Sequence, residues 1–317
     1  MLKIAALVLL LLAGMALEAA GAEGSSGIPM QVIDAGEILA KVKAGQPVEY
    51  DHVVVRGDLD LSRERLKKNI TSLIRINDSV FEGLVNVNSS ILEMPVELSG
   101  SNFTRDVYFG GADFSGYANF EEANFGGYAN FKEANFGGYA NFVGAAFSGS
   151  SSFEDAEFNR NIEFGDTRFE NQTSFYRILF KRPAYFENCS IKSLNLTKAE
   201  YSRLHLRWDD IKSLHFDEAA YLALIKNYNT LGWYGDANWC YYDYRNAVRN
   251  WMAASSPGFA ARLSNLLDWL IDYVEWILYG YGVRPSFPIA WSVMIILAFR
   301  LFFWQKRCLR KLIVEEK

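Results

Sequence analysis

Three histidines, three cysteines and a scatter of carboxylates are the side chains of this 317-residue chain that acid–base, nucleophilic or metal chemistry would use. Such chemistry needs several of them at short, defined spacings. His205 and His215 are the nearest pair of histidines, ten residues apart, and no metal-spaced Cys/His set, Gly-x-Ser-x-Gly turn or phosphate loop occurs in the sequence. We therefore expect a protein that is not an enzyme and that uses no cofactor and no metal.

A second kind of chemistry is attachment of glycans to asparagine. Seven Asn-x-Ser/Thr sequons are present, and their number and clustering predict a glycosylated outer surface. The candidate asparagines are Asn69, Asn77, Asn88, Asn102, Asn171, Asn188 and Asn195.

The two ends of the chain predict its compartment. Lys3 precedes an apolar run at residues 4–17, and Ala20-Gly21-Ala22 resembles a cleavage site, so residues 1–22 are predicted to be a signal peptide; a retained anchor is the alternative. A second apolar run at residues 287–304 precedes four basic residues, which is typical of a membrane span with a cytoplasmic flank; a buried core helix is the alternative. We expect a single-pass protein of the cell membrane, with residues 23–284 outside the cell and a cytoplasmic C-terminus.

Phenylalanine recurs between the two ends at alternating intervals of five and six residues, and the residue two places earlier is small or apolar. Neither a strand nor a helix has this period. Four short faces of 5, 6, 5 and 6 residues make a 22-residue coil, so the pattern predicts a solenoid in which residues 22 apart stack. The phenylalanines are Phe103, Phe109, Phe114, Phe120, Phe125, Phe131, Phe136, Phe142, Phe147, Phe153, Phe158, Phe164, Phe169, Phe175, Phe180 and Phe186.

The stretch ADFSGYANFEEANFGGYANFKEANFGGYANF resembles the pentapeptide-repeat family, in the variant with an extra residue in alternate repeats. That resemblance implies a mainly β protein whose residues 51–216 form a right-handed quadrilateral β-helix. A generic aromatic-rich β-solenoid of another cross-section is the alternative. Past Ile191 the interval becomes a plain five residues.

The remaining segments are predicted to be α-helical caps and a membrane anchor. Residues 23–50 form an N-terminal helical cap, with a helix at 32–43 that covers the first coil, and 217–254 form a helical hairpin that Asp217 begins. Residues 255–284 contain an amphipathic juxtamembrane helix, Phe259–Tyr279, which lies either on lipid or on the hairpin. A transmembrane helix at 285–305 and a basic cytoplasmic tail at 306–317 follow. The hairpin and the GYGVRP motif at 280–285 resemble membrane-bound archaeal pentapeptide-repeat proteins.

Two tyrosines on the predicted surface are candidates for ligand contact. Tyr117 and Tyr139 are 22 residues apart and should stack on one face beside the corners at 115–116 and 137–138, with Tyr128 on the opposite face. Aromatic rings beside glycine suit a carbohydrate or a protein ligand, although the rings could instead only cover the corners.

The expected function is a non-enzymatic binding or structural module at the cell surface. The main alternative is an auxiliary or regulatory subunit of a membrane channel or transporter. The resemblance also suggests a DNA mimic that protects topoisomerases, but the predicted compartment argues against a nucleic-acid partner. The net charge of −5 is too small to argue for or against any partner. A polysaccharide-active β-helix enzyme is the fourth possibility.

Overall fold

The computed structural model describes residues 30–254 and 259–315. The predicted signal peptide lies outside the described residues, as do the side chains of the basic flank at 306–317.

The described residues contain 27 short strands, and every pairing between them is parallel. The strands are β1 (Gln31–Asp34), β2 (Val48–Asp51), β3 (Val53–Arg56), β4 (Leu59–Asp60), β5 (Ile74–Asn77), β6 (Val80–Phe81), β7 (Val85–Asn86), β8 (Ile91–Leu92), β9 (Val96–Glu97), β10 (Asn102–Phe103), β11 (Val107–Tyr108), β12 (Asp113–Phe114), β13 (Ala118–Asn119), β14 (Asn124–Phe125), β15 (Ala129–Asn130), β16 (Asn135–Phe136), β17 (Ala140–Asn141), β18 (Ala146–Phe147), β19 (Ser151–Ser152), β20 (Glu157–Phe158), β21 (Ile162–Glu163), β22 (Arg168–Ser174), β23 (Leu179–Phe180), β24 (Ala184–Tyr185), β25 (Ser190–Asn195), β26 (Glu200–Tyr201) and β27 (Leu204–His205).

These strands form the four faces of a parallel β-solenoid of about eight coils, as the sequence predicted. Face 1 contains β3, β6, β10, β14 and β18, and face 2 contains β4, β7, β11, β15 and β19. Face 3 contains β8, β12, β16, β20, β23 and β26, and face 4 contains β2, β5, β9, β13, β17, β21, β24 and β27. The longer strands β22 and β25 run across faces 1 and 2 and join them into one sheet.

The pairing register confirms the predicted 22-residue coil. Phe103 pairs with Phe125 on face 1 and Phe114 pairs with Phe136 on face 3, each 22 residues further on. The interval falls to 20 where the repeat becomes a plain five, since Ile191 bridges Ile211. The first coil is longer because a short helix at 63–66 is inserted into it. Backbone groups are thereby paired from coil to coil along the whole solenoid.

The phenylalanines fill the interior as columns of stacked rings. In the column predicted through Phe114, successive centroids lie 4.8, 4.5 and 5.3 Å apart, close to the spacing of neighbouring strands. Phe142 is fully buried, 4.9 Å from Phe120 and 5.0 Å from Phe164. Large aromatic areas are therefore removed from water in the coils between Phe81 and Phe186, and this burial stabilises the solenoid.

Helices close the open end of the first coil. Asp34 caps α1 (Ala35–Ala44), whose buried Ile38 and Val42 cover that coil. The helix predicted at 32–43 begins three residues later, because residues 31–34 pair with β3 as an extra strand. The single-turn helix α2 (Arg63–Leu66) lies in the first coil.

The predicted hairpin consists of α3 (Glu218–Leu231) and α4 (Tyr234–Ala254), and it caps the last coil. Asp217 accepts a hydrogen bond from the Ala220 amide, as expected for an N-cap. Asn227 donates to the Leu204 carbonyl (2.8 Å) and accepts from the Leu204 amide (3.1 Å), so it pairs the backbone of the edge strand β27.

Two further helices follow the hairpin in the described residues. The helix α5 (Phe259–Tyr279) has the predicted bounds and leads through a 3₁₀ turn (Gly280–Gly282) into α6 (Ser286–Glu315). Within the described residues, one helical segment, Ser286–Trp304, is long and apolar enough to cross a membrane.

Candidate binding surface

Tyr117 and Tyr139 stack on face 4, as the sequence predicted. Each precedes an inward alanine, Ala118 or Ala140, so its own side chain points outward. The two ring centroids are 5.6 Å apart and the rings are inclined by 16°. Tyr128 adjoins β15 on face 2, where its ring packs edge-on against Tyr108. The two tyrosine positions are therefore on opposite faces.

The tyrosine pair is half-buried, and each hydroxyl reaches the next coil. Asn141 lies beside the Tyr117 hydroxyl, and Glu163 lies beside the Tyr139 hydroxyl. Burial is the largest cause that raises the pKa of both phenols, and at Tyr139 the neighbouring Glu163 raises the pKa further. Both phenols are consequently neutral at physiological pH, and stacking holds the two rings against each other.

The corners beside the two tyrosines require glycine for structural reasons. A Cβ added to Gly138 would lie 2.2 Å from the carbonyl oxygen of Gly116 in the coil below. No side chain fits there unless the backbone shifts. The corners at 116 and 138 therefore need glycine so that the coils can approach each other, whether or not the rings bind anything.

A second aromatic pair, which sequence reasoning missed, lies further along face 4. Tyr185 stacks on His205 with centroids 4.8 Å apart, and Trp233 packs edge-on against His205 at 5.8 Å. The plain five-residue interval past Ile191 contained the signal, because it places His205 one coil above Tyr185. Burial, with a contribution from Arg203, lowers the pKa of His205, so this imidazole is neutral at pH 7. We call Tyr117, Tyr139, Tyr185 and His205 the aromatic face.

Carboxylates and amides stand beside these rings. The outward column that includes Asn119, Asn141 and Glu163 follows the tyrosine pair along face 4. At its lower end Arg75 makes two hydrogen bonds of 2.9 Å to Glu97. The aromatic face thus combines flat rings with hydrogen-bond acceptors that are fixed on a rigid sheet.

The sequon asparagines all avoid the core, but they differ in exposure. Asn171 and Asn188 are exposed, and the other five are half-buried. The carboxamide oxygen of Asn88 accepts from the Gly110 amide (2.8 Å), and the Ser90 hydroxyl of its sequon is buried against the Leu61 carbonyl. Asn102 accepts from the Asn124 side chain in an asparagine ladder on face 1. The seven positions are therefore unequal candidates for modification.

Residues suited to catalysis or metal binding are dispersed. Among residues 30–254 and 259–315, no three His, Cys, Asp or Glu side chains are placed to hold a metal ion. His205 lies on face 4, whereas His215 follows Leu214, which bridges Leu194 on β25. Cys189 and Cys240 are buried, and burial raises the pKa of the Cys189 thiol to about 12, which keeps it protonated and unreactive.

Comparison with known proteins identifies the repeats. A family model described as pentapeptide repeats (nine copies) matches residues 88–135 and 131–179. No curated protein and no solved structure gives a significant match. The matched residues run from the turn before β8 to the first residue of β23, which is the part of the solenoid that carries Tyr117 and Tyr139.

Proposed function

Because the solenoid of this chain belongs to the pentapeptide-repeat family, we propose that it is a non-catalytic recognition or support module, held outside the cell by a single membrane span. Repeat solenoids present long rigid surfaces on a constant core, so the surface residues determine what each member binds.

The observation that carries the membrane assignment is the exposure of the predicted span. None of the segment Ser286–Trp304 is buried by the rest of the described chain. Its exposed side chains include Ile289, Ile296 and Phe303. An apolar surface of this length does not stay in water, and its length suits the hydrocarbon core of a bilayer.

The proposed orientation rests on sequence features. The apolar N-terminal run with its Ala-Gly-Ala site, the seven sequons and the four basic residues after the span all favour an extracellular solenoid. An extracellular solenoid would not meet nucleic acid inside the cell.

We place ligand contact on the aromatic face. Rings that are held by stacking lose little conformational freedom on binding, and the neighbouring acceptors suit the hydroxyl groups of a carbohydrate or the amides of a protein loop. The alternative is that the rings serve only the packing of the coils.

An experiment on intact cells distinguishes these two possibilities. A membrane-impermeant amine-reactive cross-linker is applied to cells that produce the natural chain, the double variant Tyr117→Ser/Tyr139→Ser, or Tyr128→Ser as the control on the opposite face. We expect the natural chain and the control to yield the same cross-linked species and the double variant to lose it, with little change in melting temperature. Retention of the species by the double variant would exclude the aromatic face as the contact surface.

A further inference from the structure

The amphipathic helix α5 has its polarity reversed relative to a helix on the surface of a soluble protein. Asp272 in its middle is only 5% exposed. Several of its large apolar side chains are 42–60% exposed, namely Leu266, Leu270, Ile271, Val274 and Leu278. Asp272 is therefore turned toward the protein and the apolar face away from it, whereas Asp268, one turn earlier, is exposed.

Polar contacts with α4 fix this orientation. Arg245 contacts both Asp272 (2.5 Å) and Glu275 (3.3 Å), and Arg249 approaches Asp272 at 3.7 Å. The Tyr281 hydroxyl donates to Asp272 (2.6 Å), which gives this carboxylate a third partner. The buried charge is thus compensated, and rotation of α5 by half a turn would leave it unpaired.

Aromatic contacts reinforce the same arrangement. The Trp276 indole N–H donates to the Tyr242 hydroxyl at 2.6 Å, and the Arg249 guanidinium lies 5.0 Å from the centroid of the Trp276 ring. The apolar face of α5 is therefore held outward by a rigid set of contacts.

The exposed face of α5 continues into the proposed span. The two helices are joined by the 3₁₀ turn, and the Trp291 indole N–H of α6 donates to the Ile277 carbonyl of α5 at 2.7 Å. Arg284, just before α6, has its guanidinium 4.1 Å from the Tyr242 ring and 5.3 Å from the Trp239 ring. Tryptophan and tyrosine at the start of a span are typical of the membrane–water interface.

We propose that the apolar face of α5 inserts into the outer leaflet of the phospholipid bilayer, so that the chain meets the membrane through two helices instead of one. The occupant is lipid because this face is continuous with a span that lipid must cover, and because a helix that lies in the interface buries its apolar side among acyl chains. Asp272 and Glu275, which anionic headgroups would repel, are paired with arginines of α4: Arg245 contacts both carboxylates and Arg249 approaches Asp272. The solenoid is thereby held at a fixed orientation to the membrane. This inference rests on the proposed membrane function.

The test uses the full chain in phosphatidylcholine nanodiscs, with Cys308→Ala to leave only the buried native thiols. Single cysteines carry the environment-sensitive fluorophore NBD at Val274→Cys on the apolar face, at Asp268→Cys as an exposed polar control on the same helix, and at Val293→Cys within the span. Lipids with a doxyl group on the acyl chain quench fluorophores that contact them.

We expect the fluorophores at 274 and 293 to show blue-shifted emission and to lose fluorescence as doxyl lipid is added, while the fluorophore at 268 does neither. Quenching at 293 without quenching at 274 would overturn the α5 inference and leave the span intact. A blue shift at 274 without lipid quenching would also overturn it, because a second copy or another protein would then cover this face. Absence of quenching at 293 would contradict the proposed membrane function itself.

Discussion

Arg245 of α4 and Asp272 of α5 form an ion pair of 2.5 Å at a site where 6% of the Asp272 side chain is exposed. This pair joins the hairpin that caps the solenoid to the helix that precedes the span. The solenoid and the proposed anchor are thus mechanically connected through a small number of buried polar contacts.

Replacement of Asp272 by alanine should loosen α5 from the hairpin. Arg245 and Arg249 would lose their shared carboxylate, and removal of one partner of a buried pair costs about 3–5 kcal/mol. Native-state hydrogen exchange of α5 amides in nanodiscs should show opening that is easier by roughly this amount. Asp268→Ala, at an exposed position on the same helix, should leave exchange unchanged. Equal exchange in the two variants would show that the ion pair does not hold α5.

Phe142 and Tyr139 should differ strongly in their contribution to stability, although they lie three residues apart. Phe142→Ala removes a ring that is packed between Phe120 and Phe164, and it should cost about 3–5 kcal/mol in the free energy of unfolding. Tyr139→Ala removes one half-buried stack and should cost about 1 kcal/mol. Urea denaturation measures both free energies. Similar costs would mean that Phe142 does not point into the core or that Tyr139 does not point outward.

Stability should fall as the pH drops below the ordinary histidine range. Burial lowers the pKa of His205 in the folded chain below its ordinary value of 6.5, so at acid pH the unfolded chain binds more protons at this site. The contribution of neutral His205 to the free energy of unfolding is complete above pH 6.5. It is lost progressively as the pH falls toward the pKa of His205 in the folded chain. The loss of melting temperature between pH 7.5 and pH 5.5 should be smaller in His205→Gln than in the natural chain. An identical loss in both would assign the acid sensitivity to other groups.

Glycan occupancy should follow exposure across the sequons. Asn188 lies exposed at a corner, whereas Asn88 is engaged by the Gly110 amide and its Ser90 hydroxyl is buried. Mass spectrometry of glycopeptides from the natural source should show higher occupancy at Asn188 than at Asn88. Higher occupancy at Asn88 than at Asn188 would indicate that glycosylation does not depend on exposure of the asparagine in the folded protein.

The core of the fold could be predicted from the sequence because the repeats stack along one direction. A phenylalanine every five or six residues determines which side chains point inward, and the 22-residue coil then determines that Phe103 pairs with Phe125. Each coil contacts mainly its neighbours, so no long-range pairing had to be guessed.

The orientation of α5 could not be predicted in the same way. Its apolar and acidic sides were visible in the sequence, but acidic side chains such as Asp272 are usually solvated. The arginines that bury it lie on α4, 27 residues earlier for Arg245, and no local pattern links them. The stack of Tyr185 on His205 was missed for a different reason: the five-residue interval contains its signal, but the stack spans the change from a 22-residue to a 20-residue coil.

Protease accessibility on intact cells decides whether a single span holds the solenoid outside the cell. Cells carry the chain with one epitope in the exposed corner at 121–122 of the solenoid and another after Lys311. External protease should remove the first epitope and leave the second protected until the membrane is permeabilised. Loss of the C-terminal epitope from intact cells, or protection of the solenoid epitope, would contradict the proposed topology.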